Sequence, residues 1–374
     1  MLTCGIIGPG QMGRIRGNAF TKAGDVKILW VLSKNGESAE RLAKELGCDK
    51  AGKWDNRDEI TKETPVDFVL IETPHDEQDA CTKWALEQNA HVFIGGPLAL
   101  NPSAAEEIVR LAQAKNRLLS TGLEQAHTFY PEAYGYLKHL GEIIDIDSNA
   151  EFPADPKSWY YSETRSGGMP HTHAYYCFIA PMEQLLSDYS GPKVIHATSS
   201  QNVYKGADDV ASETCHATLT WKHKTTQQEI VYRLRASYVE SSEEKERWHI
   251  TIRGTKGVMK LIPPLDSPGG EIMLNIAGKR EQIKTGAADP FQVEAAAFLR
   301  AIRENKPELI LNSGERGLKL LQVIDQIEES IKKNSCQNDK DKIKISEKGY
   351  NASQFFTNKI ENKGEVKSSL LKLS

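Results

Sequence analysis

The stretch Gly8-Pro9-Gly10-Gln11-Met12-Gly13 decides the fold of the first third of this chain. It follows the apolar run Thr3–Ile7, which predicts a strand, and it opens the helical pattern Met12–Ala23. In such a GxGxxG turn the first glycine permits a tight bend, the second lets the backbone approach a pyrophosphate, and the third lets helix and strand pack closely. The N–H groups at the start of the helix then hold the phosphates. We therefore predict a dinucleotide-binding loop with contacts from Gly8, Gly10, Gln11, Met12 and Gly13.

The residues after the second predicted strand, Val26–Leu32, bear on the choice of dinucleotide. An NAD site usually has Asp or Glu there, which accepts a hydrogen bond from the ribose 2′-hydroxyl. This chain has Ser33 and Lys34 instead. A hydroxyl and a cation suit a 2′-phosphate, and no carboxylate is present there to repel it. We predict that Ser33 and Lys34 bind NADP, with NAD as the alternative.

Strand-length apolar runs alternate with helical patterns up to about residue 122, which predicts a parallel sheet covered by helices. Longer alternating strands follow, and they predict an antiparallel sheet. The expected fold is an α/β Rossmann domain (1–122) followed by an α+β domain with a large, mainly antiparallel open sheet (123–333). The last helix is expected over Ser313–Lys332. Residues 334–374 are rich in Lys, Asn, Ser and Glu, and they predict a polar, mobile tail.

Charge and composition limit the classes of partner. The 374 residues carry a formal net charge of -4, which gives no electrostatic reason to expect nucleic acid or an anionic membrane. No apolar run approaches the ~18 residues that span a bilayer, and the N-terminus lacks the features of a signal peptide. The six cysteines are scattered singly, without a CxxC pair. We therefore expect a cytoplasmic protein without disulfides or structural zinc.

Four blocks of sequence carry a resemblance to a known family. They are VDFVLIETPHDEQDACTKWALEQNAHVFIGGPLALN (66–101), GTKGVMKL (254–261), PFQVEAAAFLRAI (290–302) and GERGLKLLQVIDQIEES (314–330). With them the chain, from residue 3 to about 332, resembles the Gfo/Idh/MocA oxidoreductases. The resemblance implies hydride transfer between a nicotinamide and usually a sugar-like hydroxyl or carbonyl group, and a homo-oligomer formed through the open sheet. It also implies that Thr73 and Pro74 lie beside the cofactor.

The sequence departs from the family at the motif Glu-Lys-Pro, whose lysine helps to position and polarise the reacting oxygen. The matching residues are Gly95, Gly96 and Pro97. Gly96 and Pro97 keep their place among the predicted cofactor contacts. A glycine supplies no ammonium group, and we expect the two glycines to leave free space beside the nicotinamide.

The family's second motif, two glycines followed by DxGxHxxD, matches SGGMPHTHAYYCF (166–178). His173 keeps the histidine position, whereas Met169, His171 and Tyr176 replace the first Asp, the Gly and the last Asp. We predict His173 and Tyr176 as catalytic residues, because imidazole and phenol can exchange a proton with, or hydrogen-bond, a reacting oxygen. His171 and His173 form an HxH pair, but no third ligand is evident, and we predict no metal.

Further candidates for contacts with substrate are His127, His171, Tyr175 and Arg165, the last for an anionic group. The function that the sequence favours is NAD(P)-dependent oxidation or reduction of a small, sugar-like molecule. Two alternatives stay open, because the usual lysine and aspartates are missing. One is a cofactor-binding protein without turnover, in a sensor or structural role. The other is a reductase of a C=C or C=N bond.

Overall fold

The computed structural model describes residues 1–152, 157–200, 209, 211–238, 247–264, 269–286 and 288–347, with side chains through Asn334. Residues 1–331 form one compact unit, and a second unit begins at Lys332. The first unit contains two sheets, one of six strands and one of eight. This arrangement confirms the predicted fold class.

The first sheet is parallel, with strand order β3-β2-β1-β4-β5-β6. Its strands are β1 (Leu2–Ile7), β2 (Val26–Ser33), β3 (Lys50–Lys53), β4 (Phe68–Ile71), β5 (His91–Ile94) and β6 (Leu119–Thr121). From β1 the strands are added first to one side of the sheet (β2, β3) and then to the other (β4, β5, β6), so the strand order reverses between β1 and β4. Open α/β sheets bind ligands at the carboxyl ends of the strands beside such a point. β4 is wholly buried, because helices cover both faces of a parallel sheet.

The connections of this sheet are mostly helical. They are α1 (Gln11–Ala23), α2 (Glu37–Leu46), α3 (Arg57–Thr61), α4 (His75–Glu87) and α5 (Pro102–Ala114). Proline at the first helical position and an Asn101 side chain that accepts from the N–H of Ala104 start α5. Alternation of β and α elements thus brings the loops after β1, β2, β4 and β5 to one edge.

The second sheet has the order β14-β13-β12-β11-β7-β10-β9-β8, and of these neighbours only β7 and β10 run parallel. The strands are β7 (Ile143–Glu151), β8 (Tyr189–Ser200), β9 (Thr214–His223), β10 (Glu229–Ser237), β11 (Trp248–Gly254), β12 (Gly257–Ile262), β13 (Glu271–Ile276) and β14 (Lys279–Lys284). Buried and accessible residues alternate along β9 and β10, so one face packs on the core and the other is open.

Helical segments join the two sheets and close the unit. They are α6 (Phe129–Leu137), α7 (Glu163–Ser166), a π-helix (Pro170–Ile179), α8 (Ala180–Leu185), α9 (Pro290–Glu304) and α10 (Gly314–Glu347). Short 3₁₀ turns lie among them, including Glu124–His127 and Trp159–Tyr161. α9 packs against α1, so a late helix in the chain lies on the first helix of the parallel sheet.

The prediction that the last helix ends at Lys332 is wrong, since the helical backbone continues to Glu347. Lys, Glu, Asp and Asn residues in this stretch made it look irregular, but Lys and Glu are good helix formers, and lysines are interspersed here with the weaker Asp and Asn. The rest of the predicted tail, 348–374, lies outside the described residues.

Candidate functional site

The glycine loop after β1 has the geometry that the GxGxxG pattern requires. Gly8 has a φ of +91°, in the left-handed region that favours glycine. A Cβ on Gly13 would overlap the carbonyl oxygen of Gly8, so Gly13 lets the helix start close to the turn. A Cβ on Gly10 would meet nothing within 4 Å. The space that a side chain at position 10 would occupy is therefore open to solvent and not filled by protein.

The N-terminus of α1 faces this open space. Gly10 caps the helix without a side-chain hydrogen bond, and Gln11 and Met12 in the first turn are exposed. Uncapped N–H groups and the positive end of a helix dipole favour a phosphate. The donors and the room present at this loop thus fit a dinucleotide pyrophosphate.

The residues after β2 lie at the same edge, but they differ in how available they are. Ser33 is buried, and its Oγ accepts a hydrogen bond from the backbone N–H of Gly36 at 3.0 Å. The side chain of Lys34 is 86% exposed, and its Nζ lies 3.8 Å from Oε1 of Glu77. Ser33 thus supports the turn into α2, whereas the exposed Lys34 can be reached by a ligand but already faces Glu77.

The predicted free space beside Gly95 and Gly96 is filled by other side chains of the chain, so that expectation is wrong. A Cβ on Gly95 would fall within the carboxylate of Glu72. A Cβ on Gly96 would lie 2.6 Å from the hydroxyl of Tyr176 and 2.9 Å from Nε2 of Gln78. The carboxylate of Glu72 and the phenol of Tyr176 occupy the volume that side chains at positions 95 and 96 would take. With these two groups in place, only glycine fits at these two positions.

Behind this loop lies a buried ionic cluster, which we define as Arg16, Glu72, Glu124 and Glu294. Arg16 Nε is 3.0 Å from Oε1 of Glu72, and one terminal nitrogen is 3.0 Å from Oε2 of Glu124. The other terminal nitrogen donates to Glu294, whose second oxygen accepts from the N–H of Leu123 at 2.7 Å. One guanidinium thus joins α1, the end of β4, the turn after β6 and α9.

The charges of this cluster do not balance, since three carboxyls face one cation. Burial raises the pKa of Glu72 to about 7, against the lowering effect of Arg16, and the other two carboxyls raise it further. Burial likewise raises the pKa of Glu294. Burial alone would lower the pKa of Arg16, but Glu294, Glu72 and Glu124 together raise it above its usual value. Near neutral pH the guanidinium of Arg16 is therefore charged, while the carboxyl of Glu72 is partly protonated.

Tyr176 is the predicted catalytic residue that lies at this loop. Its hydroxyl donates to the carbonyl of Gly95 at 2.9 Å, and its side chain is half-buried. The protein around it raises the pKa of the phenol well above its usual value, mainly by burial. Tyr175 stacks edge-to-face on Tyr176 but is buried, and burial raises its pKa to about 12, with Thr121 opposing. Tyr176 is thus a neutral hydrogen-bond donor, and Tyr175 packs behind it.

His173, the other predicted catalytic residue, contacts a different part of the unit. Its ring packs against Phe152 at 5.3 Å and Tyr238 at 5.0 Å between centroids, and its Nδ1 is 2.9 Å from Oγ1 of Thr172. Burial lowers the pKa of His173 to about 3, so the imidazole is neutral at physiological pH. Along the π-helix, His173 therefore faces the eight-stranded sheet, while Tyr176 faces the loop after β5.

His171 and His127 are also enclosed by protein. Nε2 of His171 is 3.0 Å from the carbonyl of Leu100, and Nδ1 is 2.9 Å from that of Gly167 and 3.1 Å from Oε1 of Glu328. His127 lies in the turn after β6, where burial, together with Arg316 and Arg16, lowers its pKa to about 4. Both remain predictions as substrate contacts, and His171 already has three acceptors around its two nitrogens.

Arg165, predicted to hold an anionic substrate group, contacts carboxylates at the start of α4. Its Nε is 3.5 Å from Asp76 and a terminal nitrogen is 3.1 Å from Oε1 of Glu77. His75 strengthens the same contact, since its Nδ1 lies 2.7 Å from the carbonyl of Ser166. The segment around α7 is thus fastened to the first turn of α4, directly after the predicted cofactor contacts Thr73 and Pro74. Both sides of this contact lie within the first compact unit.

Several charged residues of the site were missed by the sequence analysis. They are Arg16, Glu72, Glu77 and Glu294. A charged residue within an otherwise apolar stretch, as in FVLIETP (68–74), is the signal that could have identified Glu72, since a buried charge needs a partner. Within the residues whose side chains are described, no group of three or more His, Cys, Asp or Glu side chains could hold a metal. The same part of the chain contains no helix long and apolar enough to cross a membrane.

Comparison with known proteins agrees with this architecture. Residues 2–123 match the oxidoreductase family with an NAD-binding Rossmann fold, GFO_IDH_MocA. Over 138 residues the chain is 28% identical to UDP-N-acetylglucosamine 3-dehydrogenase of Acidithiobacillus ferrooxidans. That alignment spans 37% of this chain and 41% of the relative.

Solved structures match over most of the chain. An aldose-aldose oxidoreductase from Caulobacter crescentus, complexed with glycerol, superposes with a TM-score of 0.77 at 18% identity, covering 89% of this chain and 98% of that one. A 3-ketoreductase from Actinomadura kijaniata, in complex with NADP and TDP-benzene, gives 0.76 at 17% identity, covering 88% and 98%. At these identities the likeness concerns the two-sheet fold.

Proposed function

We propose that this chain transfers hydride between a nicotinamide cofactor and a small, sugar-like carbonyl or hydroxyl compound, because residues 2–123 match the Gfo/Idh/MocA oxidoreductases with an NAD-binding Rossmann fold. The observation that carries the proposal is the open glycine loop, where Gly10 and the uncapped start of α1 offer room and donors for a pyrophosphate. Two similar proteins act on sugar compounds by their names, which supports this substrate class.

The residues proposed to act on substrate lie at the loop after β5. A bound nicotinamide would supply or accept the hydride, as in other enzymes that use this cofactor. Tyr176, half-buried and protonated, would turn its single O–H from the carbonyl of Gly95 to the reacting oxygen, and so take a role that an ammonium group at position 96 has in the resembling family. His173 is neutral and could accept or pass a proton only as imidazole. We therefore favour Tyr176 over His173 as the residue that touches the reacting oxygen.

The first test is a titration of the full chain with NADPH and NADH, followed by energy transfer from the six tryptophans. We expect saturable binding of at least one cofactor, then oxidation of the reduced form by a panel of keto-sugars. In the same assay Tyr176→Phe should lower kcat by about a hundredfold to a thousandfold with little change in cofactor affinity, the range for one oriented hydrogen-bond donor. Absence of binding by either cofactor contradicts the proposal.

Two further variants, one of them a matched control, separate the roles of Tyr176 and His173. Tyr175→Phe removes a buried hydroxyl from the neighbouring ring, so it reports the effect of losing any phenol oxygen here. His173→Gln keeps a hydrogen-bonding side chain of moderate size. If His173→Gln abolishes turnover while Tyr176→Phe leaves it unchanged, the role belongs to His173. If the cofactor binds and the wild-type chain turns over no carbonyl, the alternative without turnover gains support.

We also propose that a second copy of the chain covers the open face of the eight-stranded sheet. Val231 and Met273 are exposed there beside the ion pairs that Arg233 and Arg253 make with Asp147. Paired charges with apolar residues between them suit a self-complementary contact. Light scattering should give the mass of two or more chains. Met273→Lys should shift the measured mass towards that of one chain. A wild-type mass of one chain at micromolar concentration contradicts the pairing.

A further inference from the structure

Glu77, at the edge of the parallel sheet, is a carboxylate shared by two cations. It comes from α4 and not from β2 or the loop after β2. Oε1 of Glu77 is 3.8 Å from Nζ of Lys34 and 3.1 Å from a terminal nitrogen of Arg165. Glu77 is in the first turn of α4, and Arg165 is in α7. We refer to these three residues as the Glu77 cluster. Three separate segments of chain thus meet at one carboxylate.

The position of the Glu77 cluster follows from the topology. β2, β1 and β4 are neighbours and run parallel, so the residues after β2 and after β4 lie at the same edge as the glycine loop. In dinucleotide-binding sheets the ribose of the adenosine half is read by residues that follow β2. Lys34 is such a residue, and Glu77 is the carboxylate that it contacts.

The chemistry of the Glu77 cluster depends on which cofactor arrives. A carboxylate accepts hydrogen bonds from a ribose 2′-hydroxyl but repels a 2′-phosphate. Lys34 and Arg165, in contrast, would attract a phosphate, and both now face Glu77. A 2′-phosphate must therefore compete with Glu77 for the same two cations, whereas a 2′-hydroxyl need not.

We propose that Glu77 is a specificity-determining residue of the cofactor site, which disfavours NADP relative to NAD by holding Lys34 and Arg165. The inference rests on the proposed binding of a nicotinamide dinucleotide. The carboxylate that discriminates between the cofactors then lies on α4. The position directly after β2, where NAD sites usually have Asp or Glu, has none. The preference for NADP expected from Ser33 and Lys34 is then reduced by a residue from another loop.

The test measures affinity, so it needs no turnover. Dissociation constants of NADPH and NADH for the full chain are obtained by cofactor fluorescence at low and high salt. Glu77→Gln should raise the affinity ratio of NADPH over NADH by about twofold to fivefold at low salt, the range for one partly exposed charge, and by less at high salt. Lys34→Gln and Arg165→Gln should lower the ratio. Glu87→Gln, an exposed change at the other end of α4, is the matched control and should not alter it.

The outcomes are distinguishable. If wild-type chain binds neither cofactor, the proposed function fails, whatever the variants do. If wild type binds and Glu77→Gln changes both affinities equally, or Glu87→Gln moves the ratio as much, the specificity role fails. Should Glu77→Gln fold poorly, Lys34→Gln keeps the inference falsifiable, because that side chain is 86% exposed and we expect its replacement to leave the fold intact. An unchanged ratio in Lys34→Gln overturns the inference.

Discussion

Replacing Arg16 with Met should lower the free energy of unfolding by about 3–5 kcal/mol at pH 8, the usual cost of removing one partner from a buried ion pair. Arg16 is the cation among three buried carboxyls, Glu72, Glu124 and Glu294. Met fills a similar volume, so the loss comes from charge and not from a cavity. Midpoints of urea unfolding measure the effect.

The loss should depend on pH, and its sign follows from the pKa values. Burial raises the pKa of Glu72 in the folded state to about 7, above its value of about 4.5 in the unfolded chain. The folded chain then binds more protons between these values, so the stabilisation that this group contributes is full below pH 4.5 and is lost as pH rises to about 7. Arg16→Met should therefore cost much less at pH 5.5, where Glu72 is protonated, than at pH 8.

Arg14 supplies the control, because it lies on the same helix and its side chain is 61% exposed. Arg14→Met should change stability by less than about 0.5 kcal/mol at either pH, as for most surface substitutions. Equal losses for Arg16→Met at both pH values would contradict the assignment of raised carboxyl pKa values. A loss no larger than that of Arg14→Met would show that the cluster contributes no net stabilisation.

Much of the parallel sheet could be predicted from sequence, because its strands are short apolar runs between turn signals. Thr3–Ile7 and Val66–Ile71 stand out in this way, and the glycine triplet identifies the turn and the helix after the first of them. β3 (Lys50–Lys53, KAGK) was missed because it is short and carries no apolar pattern. It is an edge strand, positioned by its pairing with β2 and not by local preference.

The second sheet could be predicted in class but not in full. β9, β10 and β11 alternate clearly, whereas β14, KREQIK, is almost wholly exposed and polar. The motif containing His173 forms a π-helix, and no local pattern distinguishes a π-helix from an α-helix. The relative directions of His173 and Tyr176 therefore could not be predicted, although both residues were identified as candidates.

The contacts of the site depend on long-range pairing, which a single sequence does not reveal. Arg16 and Glu294 are 278 positions apart, and Tyr176 contacts a carbonyl 81 positions away. The sequence indicated that the Glu-Lys-Pro motif had lost its side chains. It could not indicate that Glu72 and Tyr176 enter the same volume from other elements. A motif can thus be lost at its own positions while similar chemical groups arrive from elsewhere in the fold.

Gly10→Val should weaken the binding of NADPH and NADH alike, by about tenfold to a hundredfold, while leaving the melting temperature unchanged. Gly10 has a φ of -74°, which any residue adopts, and an added Cβ meets no atom within 4 Å, so the folded chain has room for the side chain. The same side chain would occupy the approach of the pyrophosphate. Losing one hydrogen bond to a charged group costs about 1.5–3 kcal/mol, which corresponds to that range of affinity.

Gly13→Ala should give a different signature from Gly10→Val. Its Cβ would overlap the carbonyl oxygen of Gly8, so we expect a lower melting temperature as well as weaker binding. Thermal unfolding and cofactor titration of both variants separate a glycine needed by the ligand from one needed by the fold. Unchanged affinity in a folded Gly10→Val chain would mean that no pyrophosphate approaches this loop. The proposal of nicotinamide-dependent chemistry would then lose the observation that carries it, because the loop would be a tight turn and nothing more.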